Sequence, residues 1–416
     1  MRKGTPVGRV ASLDVLRGLA IIGTLLTNIW LFVPASWGLY DIKGEALTGL
    51  ISEPWQMRLS RVSDMVSNGK FLSLLSILFG VGMAIQFESA LRHGHRWPWR
   101  YEWRSLLLLA DGFLHFALVF EFDILMGYAL VAMVVAPLLR LRTRWLVLAA
   151  TAAGGFHLFM QIRDARGIPI RSGEFTDPPD DGTIPVPEPL SYADEIVNRL
   201  SNFWDLRSEA FITAPPLSAF LFITGVLLWR AGLFRADERA KRLSVRLAAA
   251  GLGAGVPLTV WPSLDLPGSE VLGSLSRYTV APIVAFGYLG LVLVLLRRGG
   301  GRGFLSRQLA AVGRTALSCY MLQNVLAMVA FNSWGLRLGP LDSVGTLLAW
   351  AVISGILMLA ASLWLRRFRQ GPFELVWRAA VEAPFRRGDR RRAEEAAARR
   401  EEREQRHASS QNAPAP

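Results

Sequence analysis

One apolar stretch of the sequence carries an imidazole among carboxylates. In SLLLLADGFLHFALVFEFDIL, Asp111 and His115 are four residues apart, and Glu121 and Asp123 follow the apolar run. Spacing of four residues puts Asp111 and His115 on one helix face. A histidine held by a carboxylate is typical of a general base with its orienting acid. We therefore predict a catalytic or substrate-binding role for His115, supported by Asp111 or Asp123. The alternative is a histidine hydrogen-bonded to a neighbouring helix.

A second polar set lies in the first apolar run, SLDVLRGLAIIGTLLTNIW. Arg17, Thr24 and Asn28 share a helix face, and Asp14 lies one turn before Arg17. Polar groups are costly in lipid, so this stripe should face the interior of a helix bundle. We predict that Asp14, Arg17 and Asn28 contribute to substrate binding. The alternative is that Asp14 and Arg17 anchor the helix at the headgroup level while Asn28 joins helices.

A third polar path begins at the entrance to a later apolar run, GRTALSCYMLQN. Arg314 precedes the run, and Tyr320, Gln323 and Asn324 continue inward. An arginine at that height can pair with a phosphate through two hydrogen bonds. We predict substrate binding by Arg314, Tyr320 and Gln323. The alternative for Arg314 is the ordinary basic flank of a membrane span.

Long helices must position these residues. The chain has 416 residues, is 52% hydrophobic, and gathers its apolar residues in blocks. Blocks of this kind predict an all-α polytopic membrane protein with about ten spans. The spans are expected near residues 15–33, 70–87, 105–120, 124–139, 145–161, 211–229, 247–262, 278–296, 315–334 and 343–365.

The basic residues give the expected orientation. Of the 46 Lys and Arg residues, 34 fall on the side of the two termini and 10 on the opposite side. This bias predicts that both termini are cytoplasmic. The net charge of +13 then faces anionic lipid, so the predicted partner is the lipid bilayer and not nucleic acid.

The predicted organisation has four parts. Residues 1–161 carry helices 1–5, 162–210 form an extracytoplasmic loop, 211–378 carry helices 6–10, and 379–416 form a charged, partly disordered cytoplasmic tail. Within the loop, DPPDDGTIPVPEP forbids regular structure. The following SYADEIVNRLSNFWDLRSEAF suits an amphipathic helix on the outer membrane surface or over a cavity, or a helix packed on neighbouring spans.

Neither a disulfide nor a bound metal is expected. Cys319 is the single cysteine and lies inside an apolar run, where it should be a buried packing residue. His93 and His95 have no further Cys or His ligand nearby, which favours a polar loop.

Five motifs together resemble the YeiB-like family: SLDVLRGLAIIGTLLTNI, GKFLSLLSILFGVGM, GFLH followed by FDILMGYAL, VGRTALSCYMLQN and GPFELVWR. This family consists of bacterial inner-membrane proteins with a carboxy-terminal domain of unknown function 418. The resemblance covers nearly the whole chain outside the tail and implies a multi-pass protein of the bacterial plasma membrane.

The opening motif is also similar to the first helix of the transmembrane acyltransferase superfamily, which includes acyltransferase-three and heparan-glucosaminide acetyltransferase proteins. By that resemblance, Asp14 and Arg17 match the superfamily's acid and arginine, and acyl-CoA is a co-substrate with no bound cofactor. This chain departs from the pattern at Asn28, where acyltransferase-three proteins usually carry histidine. His115 is then the remaining candidate base.

The leading hypothesis is the transfer of an acyl group from cytosolic acyl-CoA to an envelope glycan or lipid. Arg17 and Arg314 would hold the CoA phosphates, and His115 would activate the acceptor. A transporter or flippase of an envelope molecule is the alternative, with the same groups forming a binding or proton-relay site. A third reading is a non-catalytic scaffold.

Overall fold

The chain folds into helices joined by turns. In the computed structural model, the described residues are 11–35, 54–165, 190–264, 266–301 and 303–386. Every regular element within these ranges is helical. Seven of the described helical segments are long and apolar enough to cross a bilayer. The chain is therefore an all-α polytopic membrane protein, as its sequence predicts.

Fifteen α-helices occur in the described residues. They are α1 (Ala11–Ala35), α2 (Pro54–Ser67), α3 (Lys70–Arg92), α4 (Trp99–Leu118), α5 (Leu125–Leu138), α6 (Thr143–Ala165), α7 (Tyr192–Ser201), α8 (Phe203–Arg230), α9 (Glu238–Val260), α10 (Ser269–Leu275), α11 (Ala281–Gly299), α12 (Phe304–Arg314), α13 (Ala316–Phe331), α14 (Ser343–Arg367) and α15 (Pro372–Glu382).

Each of the ten predicted spans coincides with one helix, namely α1, α3, α4, α5, α6, α8, α9, α11, α13 and α14. Among these, α5 and α13 are apolar but shorter than the seven long segments, and α4 opens with the charged residues Arg100, Glu102 and Arg104. Helices α8 and α9 begin eight or nine residues before the predicted spans because helical structure continues into polar turns beyond the apolar block.

Helix α1 lies at the centre of the fold. It packs against α3, α12, α13 and α14, and its side chains Leu16, Leu25 and Ile29 are completely buried. Since α1 contacts helices from both ends of the chain, polar residues that are far apart in sequence meet around it.

Small residues let helices α3 and α8 pack closely. A Cβ atom on Gly80 would overlap the main-chain carbonyl of Phe222 in α8. The small residues of SILFGVGMA thus permit close helix packing. Gly82, on the other side of the same helix, faces the guanidinium group of Arg17, which would lie 3.4 Å from an added Cβ.

The segment predicted as one amphipathic helix forms two helices instead. It breaks at Asn202, and its second half continues into the membrane span as α8. In α7, Arg199 is buried while Val197 and Leu200 are exposed. The polar face of α7 therefore packs on the helix bundle and its apolar face points outward. The Pro-rich stretch 177–189 lies outside the described residues.

The predicted start of the tail at residue 379 falls inside a helix. Helix α15 continues to Glu382 and is followed by a short 3-10 turn, Ala383–Phe385. One face of α15 packs against α4 and α13, and this contact keeps the chain helical past the last span. Residues 387–416 lie outside the described part of the chain.

Candidate functional site

A short turn brings His115 and Asp123 together. Helix α4 ends at Leu118 and α5 begins at Leu125, so the chain reverses within six residues. Asp123 Oδ2 accepts the main-chain N–H of Leu125 at 2.8 Å, which caps the first turn of α5. Its Oδ1 atom lies 3.0 Å from His115 Nδ1. Both side chains are buried, with 1% and 0% of their surface exposed.

Two residues of α13 complete this group. The Tyr320 hydroxyl donates to Asp123 Oδ1 at 3.0 Å, and the Asn324 side-chain amide lies 3.3 Å from His115 Nε2. With Nδ2 of Asn324 donating, Nε2 of His115 accepts, and Nδ1 carries the proton that it donates to Asp123. We call His115, Asp123, Tyr320 and Asn324 the His115 cluster.

Asp111 is not the carboxylate that holds His115. One of its side-chain oxygens, Oδ2, is buried and has no hydrogen-bond partner in the described part of the chain, while Asp123 accepts the hydrogen bond of the imidazole. The sequence left both acids open, and the structure favours Asp123. The reason is geometric, because the turn points Asp123 back toward α4 whereas Asp111 lies one helical turn away along the same helix.

Arg207 of α8 supports the turn, and sequence analysis missed it. Its two terminal nitrogens donate to the carbonyl oxygens of Glu121 at 3.1 Å and Asp123 at 2.6 Å. Arg207 is 5% exposed, and its guanidinium carbon lies 5.7 Å from the centre of the Phe116 ring. A single arginine in an otherwise acidic or apolar helix start is the available signal, but the amphipathic pattern of the segment does not indicate a contact with this turn.

A cavity of about 460 Å³ opens at the other end of these helices. Its walls come from α1, α3, α4, α5, α12, α13 and α15, and we call it the main cavity. Four arginines and two glutamates line it: Arg17, Arg104, Arg314, Arg378, Glu374 and Glu382. Its apolar wall consists mainly of Ile21, Leu75, Leu78, Phe79, Leu108, Leu125 and Leu317.

Two predicted binding residues, Arg17 and Arg314, therefore lie on one cavity. Asp14 is buried behind Arg17, with an oxygen 4.0 Å from its guanidinium nitrogen. Tyr320 also lines the main cavity while its hydroxyl binds Asp123. Tyr320 thus links the arginines at the entrance to the His115 cluster.

Two other predicted binding residues do not line the main cavity. Asn28 is half-buried further along α1, and Thr24, which precedes it on the stripe, donates to the carbonyl of Ala20 in its own helix. Gln323 is completely buried, and neither of its side-chain polar atoms has a hydrogen-bond partner among the described residues. The polar side chains that follow Ile21 in α1 and Tyr320 in α13 therefore point away from the main cavity.

Helix α15 covers the main cavity and was not foreseen as part of the site. Glu374, Trp377 and Arg378 face the cavity from one side of this helix. The Glu374 carboxylate accepts the N–H groups of Leu317 and Ser318 at 2.7 and 3.2 Å, so it caps the start of α13. In GPFELVWR the spacing of Glu374 and Trp377 was the available signal.

The His115 cluster has the parts of a general base. A neutral imidazole with a carboxylate on Nδ1 can take a proton at Nε2, and Asp123 then stabilises the imidazolium.

Within the ranges that the structure describes, no group of three or more His, Cys, Asp or Glu side chains could hold a metal. Cys319 is 4% exposed, which confirms the prediction of a buried packing residue.

Comparison with known proteins finds one family match and several similar bacterial proteins. Residues 228–383 match the family described as "Protein of unknown function (DUF418)". The chain is 27% identical over 404 residues to the uncharacterized protein YxaH of Bacillus subtilis, covering 90% of this chain and 94% of YxaH. It is 28% identical over 389 residues to the uncharacterized protein YeiB of Escherichia coli, covering 89% and 95%. Over most of its length the chain is therefore similar to YxaH and YeiB, and its carboxy-terminal half matches the DUF418 model.

Proposed function

We propose that the protein transfers an acyl group from acyl-CoA to an acceptor in the cell envelope. The observation that carries this proposal is the position of Tyr320, which lines the main cavity and donates its hydroxyl to Asp123 of the His115 cluster. A site of this kind offers, one after another along its length, a charged entrance, an apolar body and a general base. Those are the three environments that the phosphates, the pantetheine with its acyl chain, and the reacting carbonyl require.

The entrance suits a polyphosphate. Arg17, Arg104 and Arg314 line the same end of the main cavity, and arginine pairs with phosphate oxygens through two parallel hydrogen bonds. By the predicted orientation this end is cytoplasmic, which is where acyl-CoA is found. Glu374 and Glu382 lower the net positive charge of the main cavity. The phosphates would therefore be held by hydrogen bonds to individual arginines and not by the overall charge of the cavity.

The chemistry follows from the His115 tautomer. The acceptor hydroxyl or amine would replace Asn324 as the partner of His115 Nε2 and give up its proton there. Its oxygen or nitrogen would bond to the thioester carbonyl carbon, the carbon–sulfur bond would break, and the departing thiolate would take the proton from Nε2. Asp123 would hold the ring orientation and the positive charge during the transfer.

The first test is the thermal stability of the purified full-length protein with CoA and with acetyl-CoA. A ligand at 100 times its dissociation constant adds about 2.7 kcal/mol to the native state. We expect an upward shift in Tm that is lost in Arg17→Gln and in Arg314→Gln. Arg246→Gln is the matched control, because Arg246 is exposed on α9 and does not line the main cavity.

A second test measures turnover directly. Thiol release from acetyl-CoA by membranes containing the protein should require His115, and His115→Gln should abolish it. The buried Cys319 is the single cysteine of the chain, so the protein itself adds little thiol signal. Folded protein that gives no Tm shift with any thioester would overturn acyl transfer. Uptake of an envelope molecule into liposomes without CoA would then support the transport alternative.

A further inference from the structure

A second pocket lies at the opposite end of the His115 cluster from the main cavity. It has a volume of about 170 Å³, and we call it the Glu121 pocket. It is built by the turn between α4 and α5, the end of α1, helix α7 and the residue after α13. Its polar side chains are Glu121, Glu195, Asn198, Arg199 and Asn332, and its rings are Phe32, Phe120 and Phe122.

The polar groups of the pocket leave one carboxylate without a hydrogen bond. Glu195 is fully engaged, since Asn332 donates to its two oxygens at 3.1 and 2.9 Å and Arg199 lies 3.2 Å from one of them. Arg199 also donates to the carbonyl of Ala117 at 3.4 Å. In contrast, within the described part of the chain the Glu121 carboxylate feels the charges of Arg199 and Glu195 but has no hydrogen-bond partner.

An ionised Glu121 is therefore costly. Burial raises its pKa above the ordinary value for a glutamate, and the charge of Arg199 only partly opposes this effect. Among the residues that the structure describes, the pocket carries two carboxylates and one guanidinium group, so one negative charge lacks a counterion among them. A cationic ligand would supply the missing charge and the hydrogen-bond donors that Glu121 lacks.

The aromatic side chains suit the same kind of ligand. The rings of Phe32 and Phe120 stack with their centres 4.6 Å apart, and Phe122 meets Phe120 edge-on at 5.7 Å. The faces of aromatic rings attract cations through their quadrupoles. A small pocket with one free carboxylate beside phenylalanine rings is thus selective for a compact organic cation over an anion.

The Glu121 pocket is coupled to the His115 cluster by Arg207. This one side chain donates to the carbonyl oxygens of both Glu121 and Asp123. Glu121 is two residues from Asp123 in the same turn, and Phe120 and Val119 continue from the helix that carries His115. A group bound at Glu121 would therefore lie at the edge of the proposed reaction centre, on the side away from the main cavity.

We infer that the Glu121 pocket binds a primary ammonium group, and that this group belongs to the acyl acceptor. The second clause rests on the proposed function, whereas the binding does not. Two sources share this chemistry, a free amine and the headgroup of an ethanolamine lipid. The apolar surface that α7 exposes beside the pocket, Val197 and Leu200, permits either source.

The binding test compares ethanolamine with ethylene glycol. Ethanolamine carries an ammonium group where ethylene glycol carries a second hydroxyl group. In ligand-observed NMR titrations of the detergent-purified full chain, ethanolamine should bind and ethylene glycol should bind at least about tenfold more weakly, the loss expected for one charge-assisted hydrogen bond. Glu121→Gln should remove this preference. Asp205→Asn is the matched control, because Asp205 is an exposed acid at the start of α8 outside the pocket.

A second variant covers the case in which Glu121→Gln fails to fold. Glu121→Asp keeps the charge on a shorter side chain, so it should bind ethanolamine more weakly yet still prefer it to ethylene glycol. Titrations in nanodiscs of phosphatidylethanolamine and of phosphatidylglycerol distinguish the two sources. Competition of the ethanolamine lipid with the free amine identifies the lipid headgroup, and unchanged affinity identifies a free amine.

The outcomes separate this inference from the proposed function. Equal binding of ethanolamine and ethylene glycol, or a preference that survives in Glu121→Gln, overturns the ammonium pocket even if CoA raises the Tm. Ethanolamine binding that depends on Glu121, in a protein that neither responds to CoA nor releases thiol, supports the pocket and overturns its role as an acyl-acceptor site. If CoA raises the Tm, ethanolamine binding depends on Glu121, and His115→Gln retains ethanolamine affinity, both the proposed function and the ammonium pocket are supported.

Discussion

Gly313 of α12 lies so close to Gly18 of α1 that neither position has room for a side chain. A Cβ on Gly313 would overlap the main-chain carbonyl of Asp14. Arg17 and Arg314 are adjacent to these glycines in sequence, and both guanidinium groups line the main cavity. The close approach of two helix backbones is therefore what brings the two arginines to one site.

Gly313→Ala should destabilise the protein and weaken its response to CoA. The added methyl group forces α1 and α12 apart, and overpacking of this kind costs roughly 1–3 kcal/mol. Thermal unfolding in detergent measures the effect. Gly155→Ala in α6 is the control, because a Cβ there meets nothing within 4 Å and the change should raise stability by roughly 0.5–1 kcal/mol. Equal Tm values for the two variants would contradict the close contact.

Asp123→Asn should reduce acyl transfer far more than Asp111→Asn. Asp123 holds His115 Nδ1 at 3.0 Å, so an amide in its place removes the charge that stabilises the imidazolium, and a loss of at least about a hundredfold is expected. Asp111 does not make this hydrogen bond, and its replacement should cost less than about tenfold. The measurement is thiol release from acetyl-CoA, and the opposite order of the two variants would show that Asp111 is the working acid.

Arg207→Gln should lower turnover while the affinity for CoA stays unchanged. The guanidinium group holds the carbonyls of Glu121 and Asp123, so its loss loosens the turn that orients His115. The main cavity does not include Arg207, and the Tm shift with CoA should persist. Arg246→Gln, an exposed arginine on α9, is the control, and a matching loss of CoA affinity in Arg207→Gln would argue against a role confined to the turn.

Glu374→Gln should loosen the cover of the main cavity. Its carboxylate caps two N–H groups at the start of α13, and the loss of such a charged cap costs roughly 0.5–2 kcal/mol. Glu382→Gln is the matched control on the same helix, since Glu382 is 53% exposed in its 3.9 Å ion pair with Arg378 and should change stability by less than about 0.5 kcal/mol. Denaturation curves that respond equally to both changes would contradict the capping role.

The sequence by itself predicted the ten apolar blocks that coincide with helices and most members of the candidate site. Apolar blocks must be helical in lipid because every main-chain polar group needs a partner within its own segment. The short turn after His115 was visible as FEFD, and it limited the partner of the imidazole to a neighbouring acid. Arg17, Arg314 and Tyr320 were identified as polar residues at the ends or on the inner faces of such blocks.

Tertiary structure decided which of these residues meet. Rotation of each helix about its axis depends on packing against helices far away in sequence, such as the Gly18 contact with α12. That rotation turns Asn28 and Gln323 away from the main cavity and brings Asn324 to His115. The turn between α4 and α5 selects Asp123 over Asp111 as the partner of His115. Arg207 and Glu374 reach the site from separate helices, and no local pattern records a contact made across such a distance in the chain.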